Sequence, residues 1–402
     1  MVDPIKNAKI VLGVTGSIAN YKALDLASKL TQAEAKVDVV MTQSATHFVN
    51  PLAFMNITHR PVTTDLFDPN SPVAVNHVAL AESTDLVIVA PCTANTIGKI
   101  ANGIASNALD ATIMATQAPL IIAPAMDANM FNSPALQENL AKLIQRKVFI
   151  AGPAKGRLAS GLIGMGRLIE VNELVDSCRM TLGKHGDLEG VKLVVTAGGT
   201  VEPIDPVRSI TNRSSGRMGY SLAEAARDRG AYVTLISAPS NMEQPVGIHM
   251  EHIENALEMK TAVDEACLDA DAIIMAAAVA DWRPKSRSSN KEKKDGKKSW
   301  SIELIQNPDI IAEVKSKDLI KIGFAAESED LEVNAKSKII TKGLDLIVAN
   351  DITSADSGFS VDTNKVTLIH ADSSIEHLPL MPKYEVSHAI LDRMRTGLNR
   401  KK

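Results

Sequence analysis

Short apolar runs recur along the chain, separated by stretches in which apolar residues return with a helical period. In the first half the runs are Lys9–Val14, Val37–Met41, Asp85–Ala90, Pro119–Ala123 and Lys147–Ala151. In the second they are Lys192–Thr196, Tyr232–Ile236, Ala272–Ala276, Ile320–Phe324, Asp345–Ala349 and Val366–His370. Runs this continuous predict strands buried on both faces, hence an α/β chain with a mostly parallel, doubly wound sheet in each half. The halves begin alike: Ala8–Gly16 and Val191–Gly199 each read as a strand entering a glycine turn ahead of a helix. That is the pattern of two independent sheets of the nucleotide-binding type rather than of a repeat array. The polar stretch Gly183–Gly190 is the expected junction, giving domains 1–185 and 186–402.

Length supports the division, since 402 residues exceed one ordinary core and suit two domains of about 200 residues. Hydrophobic residues make up 45% and aromatic ones only 3%, so Ala, Val, Ile and Leu must fill the interior. A net charge of −4 gives no reason to expect a nucleic-acid partner. No apolar run approaches the roughly 20 residues that span a bilayer, and the first residues lack the apolar region of a signal peptide. Cys92, Cys178 and Cys267 are far apart, which argues against disulfides and zinc and for a reducing cytoplasm. Lys285–Lys298, dense in Lys, Arg, Ser and Asn, is expected to be a surface loop.

The candidate chemistry sits where strands end. Gly13-Val-Thr-Gly16-Ser17-Ile18-Ala19 lies between a strand and a helix, where glycines let backbone approach a ligand and helix-start amides attract phosphate. Ala90–Thr96 adds small polar groups at the carboxyl edge of the sheet, where open α/β sheets bind ligands. Together with Asn76-His77-Val78, Lys99–Gly103 and Ala123–Met126, these segments resemble the flavin-dependent cysteine decarboxylase family. The resemblance implies a flavodoxin-like, usually trimeric domain with flavin mononucleotide (FMN) between subunits. On it, Gly16, Ser17, Ile18, Thr42, Ser44, Thr93 and Asn95 would contact the flavin.

A cysteinyl amide carboxylate has no electron sink; oxidising its thiol to a thioaldehyde creates one, and loss of carbon dioxide then leaves an ene-thiolate. By the same resemblance His77 assists the oxidation. Two positions depart from the family pattern: Asp127 stands where an Asn is usual, and Ser160 replaces the cysteine that donates the last proton. A serine hydroxyl is a far weaker acid than a thiol of pKa about 8.5. The expectation is therefore that Asp127 is buried, protonated and takes over the acid role. The alternative is a ligase whose flavin domain is silent or stops at the ene-thiol.

In the second half, Thr196–Thr200 ends a strand, Glu202–Arg208 forms an extended loop, and Asn212–Tyr220 leads into an expected helix Ser221–Arg229. Hydroxyls, glycines and cations ahead of a helix make a phosphate cradle. These segments, with Ala276–Asp281, Asn307–Ile310 and Gly323–Glu327, resemble the bacterial phosphopantothenate–cysteine ligase family. The family makes coenzyme A precursors from 4′-phosphopantothenate, L-cysteine and CTP with Mg²⁺. An acyl-cytidylate forms first and the cysteine amine then displaces CMP. Joined to a flavin half, the whole resembles the bifunctional enzymes that build and then decarboxylate phosphopantothenoylcysteine.

On that resemblance Asn212 holds the acyl-cytidylate, with Arg208 beside it, and Asp281 reaches the metal–nucleotide complex. Ala277, Asn307, Pro308, Asp309, Ile310 and Phe324 would line the nucleotide. Lys338 and Lys342, four apart on one helix face, would meet the triphosphate, and Lys291 would be the catalytic lysine of a lid, with Lys293 and Lys294 close in register. The resemblance also implies a homo-oligomer, flavin-domain trimers joined by ligase-domain dimers.

Overall fold

The computed structural model describes residues 3–67, 76–291, 299–315, 318–327, 331–351 and 361–401. Six parallel strands form the sheet of the first half: β1 (Lys9–Val14), β2 (Lys36–Met41), β3 (Val62–Thr63), β4 (Leu86–Cys92), β5 (Leu120–Pro124) and β6 (Phe149–Ile150). Their order is β3-β2-β1-β4-β5-β6. The chain therefore steps outward in one direction from β1 and in the other from β4. β4 is buried at every position, as expected of a central strand covered by helices on both faces. A short antiparallel hairpin, β7 (Ala154–Arg157) and β8 (Ile163–Arg167), follows β6.

The second half repeats the plan with added strands: β9 (Lys192–Ala197), the hairpin β10 (Val201–Pro203) and β11 (Ser209–Thr211), then β12 (Tyr232–Ser237), β13 (His249–His252) and β14 (Ala272–Met275). There follow β15 (Trp282–Pro284) paired with β16 (Leu304–Gln306), then β17 (Ile320–Glu327), β18 (Leu346–Asp351), β19 (Thr363–Asn364), β20 (Val366–His370), β21 (Ile375–His377) and β22 (Met381–Pro382). The main sheet has eight strands in the order β13-β12-β9-β14-β17-β18-β20-β21, parallel up to β18 and antiparallel at β20 and β21. Chain contacts divide the molecule into the units Val2–Gly183 and 184–402. Among the described residues no helix is long and apolar enough to cross a membrane.

The mostly parallel α/β architecture is the one the apolar runs predict. Lys147–Ala151 shrinks to Phe149–Ile150, because Lys147 takes φ 63° in the turn that closes the helix Pro134–Gln145. The helix expected over Ser221–Arg229 spans Arg217–Arg227 instead. It starts a turn earlier because Tyr220 is buried against the sheet, its hydroxyl 3.1 Å from that of Ser237, and the backbone must already be helical there. The edge strands β3, β13 and β21 are short or polar and carry no apolar run.

One buried cation closes the second unit. Arg229 is wholly buried; its guanidinium donates to Asp187 at 2.9 and 2.8 Å and to the His388 carbonyl at 3.1 Å, and meets Asp392 at 2.8 Å. It thus ties the residues before β9 to the helix Lys383–Lys401. Burial pushes the Asp187 carboxyl up, but the hydrogen bond and charge of Arg229 outweigh it and hold the group below its usual value. A carboxylate held low in the folded state contributes stability that is present above its unfolded pKa and is lost as pH falls through the folded one. Arg229→Ala, which removes a wholly buried cation from between two half-buried carboxylates, is expected to cost about 2–3 kcal/mol. It should also blunt the acid-induced loss of stability; urea titrations of both proteins at pH 7 and at pH 4 check both effects.

Candidate functional site

In each sheet the strand order reverses between the first strand and its inward neighbour, β1 beside β4 and β9 beside β14. The loops leaving those strands diverge to opposite faces and open a crevice at the carboxyl edge. At the first crevice Thr15 donates its hydroxyl to the Pro91 carbonyl at 2.7 Å and accepts from the Thr93 amide at 3.0 Å, pinning the two loops together. Thr93 caps the helix Ala94–Asn102, whose second residue is the predicted contact Asn95. Thr42 and Ser44 follow β2 on the other side, and Thr42 donates its amide to the Val14 carbonyl at 3.0 Å. The predicted flavin contacts therefore lie on three adjacent strand ends.

A cavity of about 510 Å³ opens beside them, lined by Ser17, Ile18, Tyr21, Lys22, Asp127 and Ser160 among others. The hairpin β7–β8 forms one wall. Gly166, at φ 140°, seats it: a Cβ there would lie 2.3 Å from the Met126 carbonyl oxygen, and the Met126 amide donates to the Gly166 carbonyl at 2.9 Å. Lys22, buried, holds the exit of the hairpin by donating to the carbonyls of Leu168 at 3.0 Å and Ile169 at 3.2 Å, with Glu170 as its counter-ion at 3.0 Å.

The hairpin tip delivers Ser160 to Asp127. The serine hydroxyl donates to Asp127 Oδ2 at 2.6 Å, while Oδ1 accepts from the Asn129 amide at 2.9 Å. Both bonds favour the ionised form, that from Ser160 most, and hold the Asp127 carboxyl below its usual value. The expectation of a buried, protonated Asp127 is therefore corrected. Its carboxyl stays open to solvent, and its neighbour is a hydroxyl rather than a second carboxylate. Gly16, Thr42, Ser44, Thr93 and Asn95 do not line this cavity, nor does His77, which lies half-buried on the helix Asn76–Ser83.

The second crevice holds a cavity of about 580 Å³ that gathers most of the predicted ligase residues. Asn212, Ala277, Asp281, Asn307, Pro308, Asp309, Ile310, Phe324, Lys338 and Lys342 all line it. The backbone of Ala277–Ala280 is its floor and is fixed from four directions. Thr196 accepts from the Ala277 amide at 3.1 Å, and Thr200 from the Ala280 amide at 2.9 Å. Asn212 Nδ2 donates to the Val279 carbonyl at 3.0 Å, and Asn307 Nδ2 to the Ala280 carbonyl at 2.7 Å. Asp309 caps the helix Ile310–Glu313 and pairs with Lys342 at 2.9 Å, so the triphosphate candidates stand at the mouth with a displaceable counter-ion.

Arg208 and Lys291 do not line that cavity. Arg208 is engaged by Asp205, with Nε donating at 2.9 Å, and its guanidinium lies 4.4 Å from the centre of the Trp300 ring. Lys291 is exposed; Lys293 and Lys294 lie outside the described residues. Lining residues without an earlier assignment include Arg213–Gly219, Asn350, Asn364 and Lys383. Lys383 donates to the Thr363 carbonyl at 3.2 Å, and burial lowers its ammonium pKa. The Asn212–Tyr220 words pointed to the first of these, but no local pattern marks a lysine that opens the C-terminal helix.

Comparison with known proteins fits this geometry. A model described as "Flavoprotein" matches residues 3–183, and one described as "DNA/pantothenate metabolism flavoprotein C-terminal domain" matches residues 188–398. The Coenzyme A biosynthesis bifunctional protein CoaBC of Bacillus subtilis (strain 168) is 44% identical over 396 residues, 97% of each chain. Its counterpart from Escherichia coli (strain K12) is 39% identical over 398 residues, 98% of each chain. A crystal structure of the C-terminal domain of a CoaBC protein aligns with 53% of this chain and 98% of its own, at 36% identity and a TM-score of 0.46. With a carboxyl-edge crevice on each of two sheets and near full-length similarity to the CoaBC proteins of Bacillus subtilis and Escherichia coli, the chain belongs to the CoaBC family of coenzyme A biosynthesis bifunctional proteins, a ligase and a flavoprotein decarboxylase in one polypeptide.

Proposed function

We propose that the second crevice joins cysteine to 4′-phosphopantothenate at the expense of CTP and that the first decarboxylates the product with FMN. The observation that carries this reading is the gathering of Asn212, Asp281, Asn307–Ile310, Phe324, Lys338 and Lys342, scattered over some 130 positions of sequence, around one cavity. An amide does not form from a free carboxylate at neutral pH. Attack of the pantothenate carboxylate on the α-phosphate of CTP releases pyrophosphate and gives an acyl-cytidylate, and the cysteine amine then displaces CMP. Lys338 and Lys342 neutralise the triphosphate, Lys342 exchanging Asp309 for phosphate. Asn212, oriented by the Val279 carbonyl, polarises the acyl group.

Among the described residues no group of three or more His, Cys, Asp or Glu could hold a metal alone. Mg²⁺ would come in with the nucleotide, neutralising charge on its phosphates, with Asp281 as the carboxylate that would reach it. Lys291, and Arg208 stacked on Trp300, act from loops outside the cavity that close or pair over it.

The first crevice fits a flavin: it has small polar groups on three strand ends, and the buried Thr42 hydroxyl lacks a partner among the described residues. Gly16, Ser17, Ile18, Thr42, Ser44, Thr93 and Asn95 would hold it. When bound, the flavin takes up the two electrons of the substrate thiol and later returns them. His77, on a helix away from the cavity, acts from a neighbouring copy, which makes the homo-oligomer part of the site. Exposed Ile18, Tyr21 and Phe48 supply apolar surface for that contact. Asp127, ionised, holds Ser160 at the cavity by accepting its hydrogen, and the hydroxyl turns from the carboxylate to the substrate to deliver the last proton. Because that hydroxyl is a weak acid, reduction of the ene-thiol is the slow step. The buried free thiols and the diffusible substrates suit a cytoplasmic enzyme.

An end-point assay with phosphopantothenate, cysteine, CTP and Mg²⁺, read by mass, should yield phosphopantetheine, and omission of CTP in favour of ATP should lower the ligation rate. Lys338→Gln is expected to raise the KM for CTP about tenfold with a smaller change in kcat, the signature of lost phosphate binding. Ser160→Cys should raise the rate of phosphopantetheine formation relative to carbon dioxide release by about tenfold, because a thiol replaces the poor acid. Asp127→Asn should slow the same step. Undiminished phosphopantetheine formation in that variant would remove Asp127 from the proton-delivery role.

A further inference from the structure

The turn that carries Arg208 is held more firmly than a connection between two short strands requires. The Asp205 carboxylate is wholly buried, and its Oδ1 accepts from the Val207 amide at 2.8 Å and from the Arg208 amide at 2.9 Å. The Arg208 carbonyl accepts in turn from the amides of Ile204 at 2.9 Å and Asp205 at 3.3 Å. Pro206 stands inside this loop and fixes one more backbone torsion. The main chain of Arg208 is therefore set on both sides before its side chain is considered.

The side chain is then held from two directions. Asp205 Oδ2 accepts from Arg208 Nε at 2.9 Å and also from Nη2, so one carboxylate orients the backbone and the guanidinium of the same residue. Trp300 supplies the second direction, with the guanidinium carbon 4.4 Å from the centre of its ring. The indole arrives there because the β15–β16 pairing continues beyond its last residues. Lys285 donates its amide to the Glu303 carbonyl at 2.9 Å, and the Ser288 amide reaches the Ile204 carbonyl of the Arg208 turn at 3.0 Å. Trp300 remains 48% exposed, so it is not placed to fill a core. An arginine ordinarily loses much rotamer freedom when it grips a ligand, and one already held in place loses less.

We infer that Trp300, with Asp205, is a positioning residue of the ligase reaction: the two hold the Arg208 guanidinium in the orientation that meets an anionic group of phosphopantothenate. The inference rests on the reading of Arg208 as a substrate-binding residue and deepens it. Trp300 and Asp205 act through Arg208 and do not themselves touch substrate. No motif marks Trp300, and its stack explains why a large aromatic side chain stands in the open beside an arginine that already has a carboxylate partner.

The test follows pyrophosphate release by the full chain with phosphopantothenate, cysteine, CTP and Mg²⁺. Trp300→Leu should raise the KM for phosphopantothenate about fivefold, the size of effect a partly exposed cation–π contact supplies. The KM for CTP and kcat should change by less than about twofold. Trp300→Phe, which keeps a ring, should recover most of the loss. Asp205→Asn should raise the same KM by about tenfold through loss of a charge-assisted bond. The exposed Trp300 can be replaced without disturbing a core, so the test stands even if the Asp205 variant misfolds. In an Arg208→Gln background Trp300→Leu should add nothing, because the two residues act as one unit. An unchanged KM for phosphopantothenate in Trp300→Leu, equal losses for both substrates, no recovery with Phe, or a full effect of Trp300→Leu in the Arg208→Gln background would overturn the inference and leave the stack a structural contact. An ordinary KM for phosphopantothenate in Arg208→Gln alone would overturn the substrate-binding reading of Arg208 and this inference with it.

Discussion

The reversal of strand order is the constraint on which both sites depend. A parallel sheet buries its strands, and its helices must cross back over one face or the other. Where consecutive crossovers change face, two loops separate and cannot fill the space between them. β1 beside β4 and β9 beside β14 are those places. The chain spends polar side chains to keep them open: Thr15 locks one pair of loops, and Thr196 and Thr200 lock the other. Equivalent hydroxyls at equivalent strand ends explain how one topology serves two unrelated reactions, with the chemistry supplied by loops rather than by the sheet.

Each crevice is completed differently. In the ligase unit a single cavity is lined by the backbone of Ala277–Ala280 and by Lys338 and Lys342 of the helix Leu331–Lys342. On the function proposed above, acyl activation would rest on positioning by this floor and on charge neutralisation by those lysines. In the flavin unit the cavity is walled by a hairpin seated through Gly166 and anchored by Lys22, and its polar end is a carboxylate–hydroxyl pair. The pair is an acceptor arrangement. Ser160 gives its hydrogen to Asp127, and that bond holds the carboxyl below its usual value, the opposite of the direction expected from a carboxyl in an enclosed site.

The residues that stand apart from the cavities share a feature. His77, Arg208 and Lys291 lie on a peripheral helix or on loops, where neither sheet fixes their reach. Arg208 has a carboxylate and an indole as partners instead of a vacant approach to Asn212. On the function proposed above, such groups would take their place when loops close or copies assemble.

The sequence by itself determined the two sheets and their edges. Uninterrupted runs such as Leu86–Cys92 have no choice but to be buried on both faces, and the glycine and hydroxyl words that follow them can only lie at strand ends. The cluster Asn307–Ile310, Phe324, Lys338 and Lys342, which lines one cavity, was legible only through the resemblance of those segments to the ligase family. Tertiary structure alone decided the rest. The early start of the helix Arg217–Arg227 follows from burying Tyr220, and the ionisation of Asp127 from a hairpin tip more than thirty residues away. Burial and partnership belong to the space between segments, and a linear pattern carries no record of that space until the chain has closed on itself.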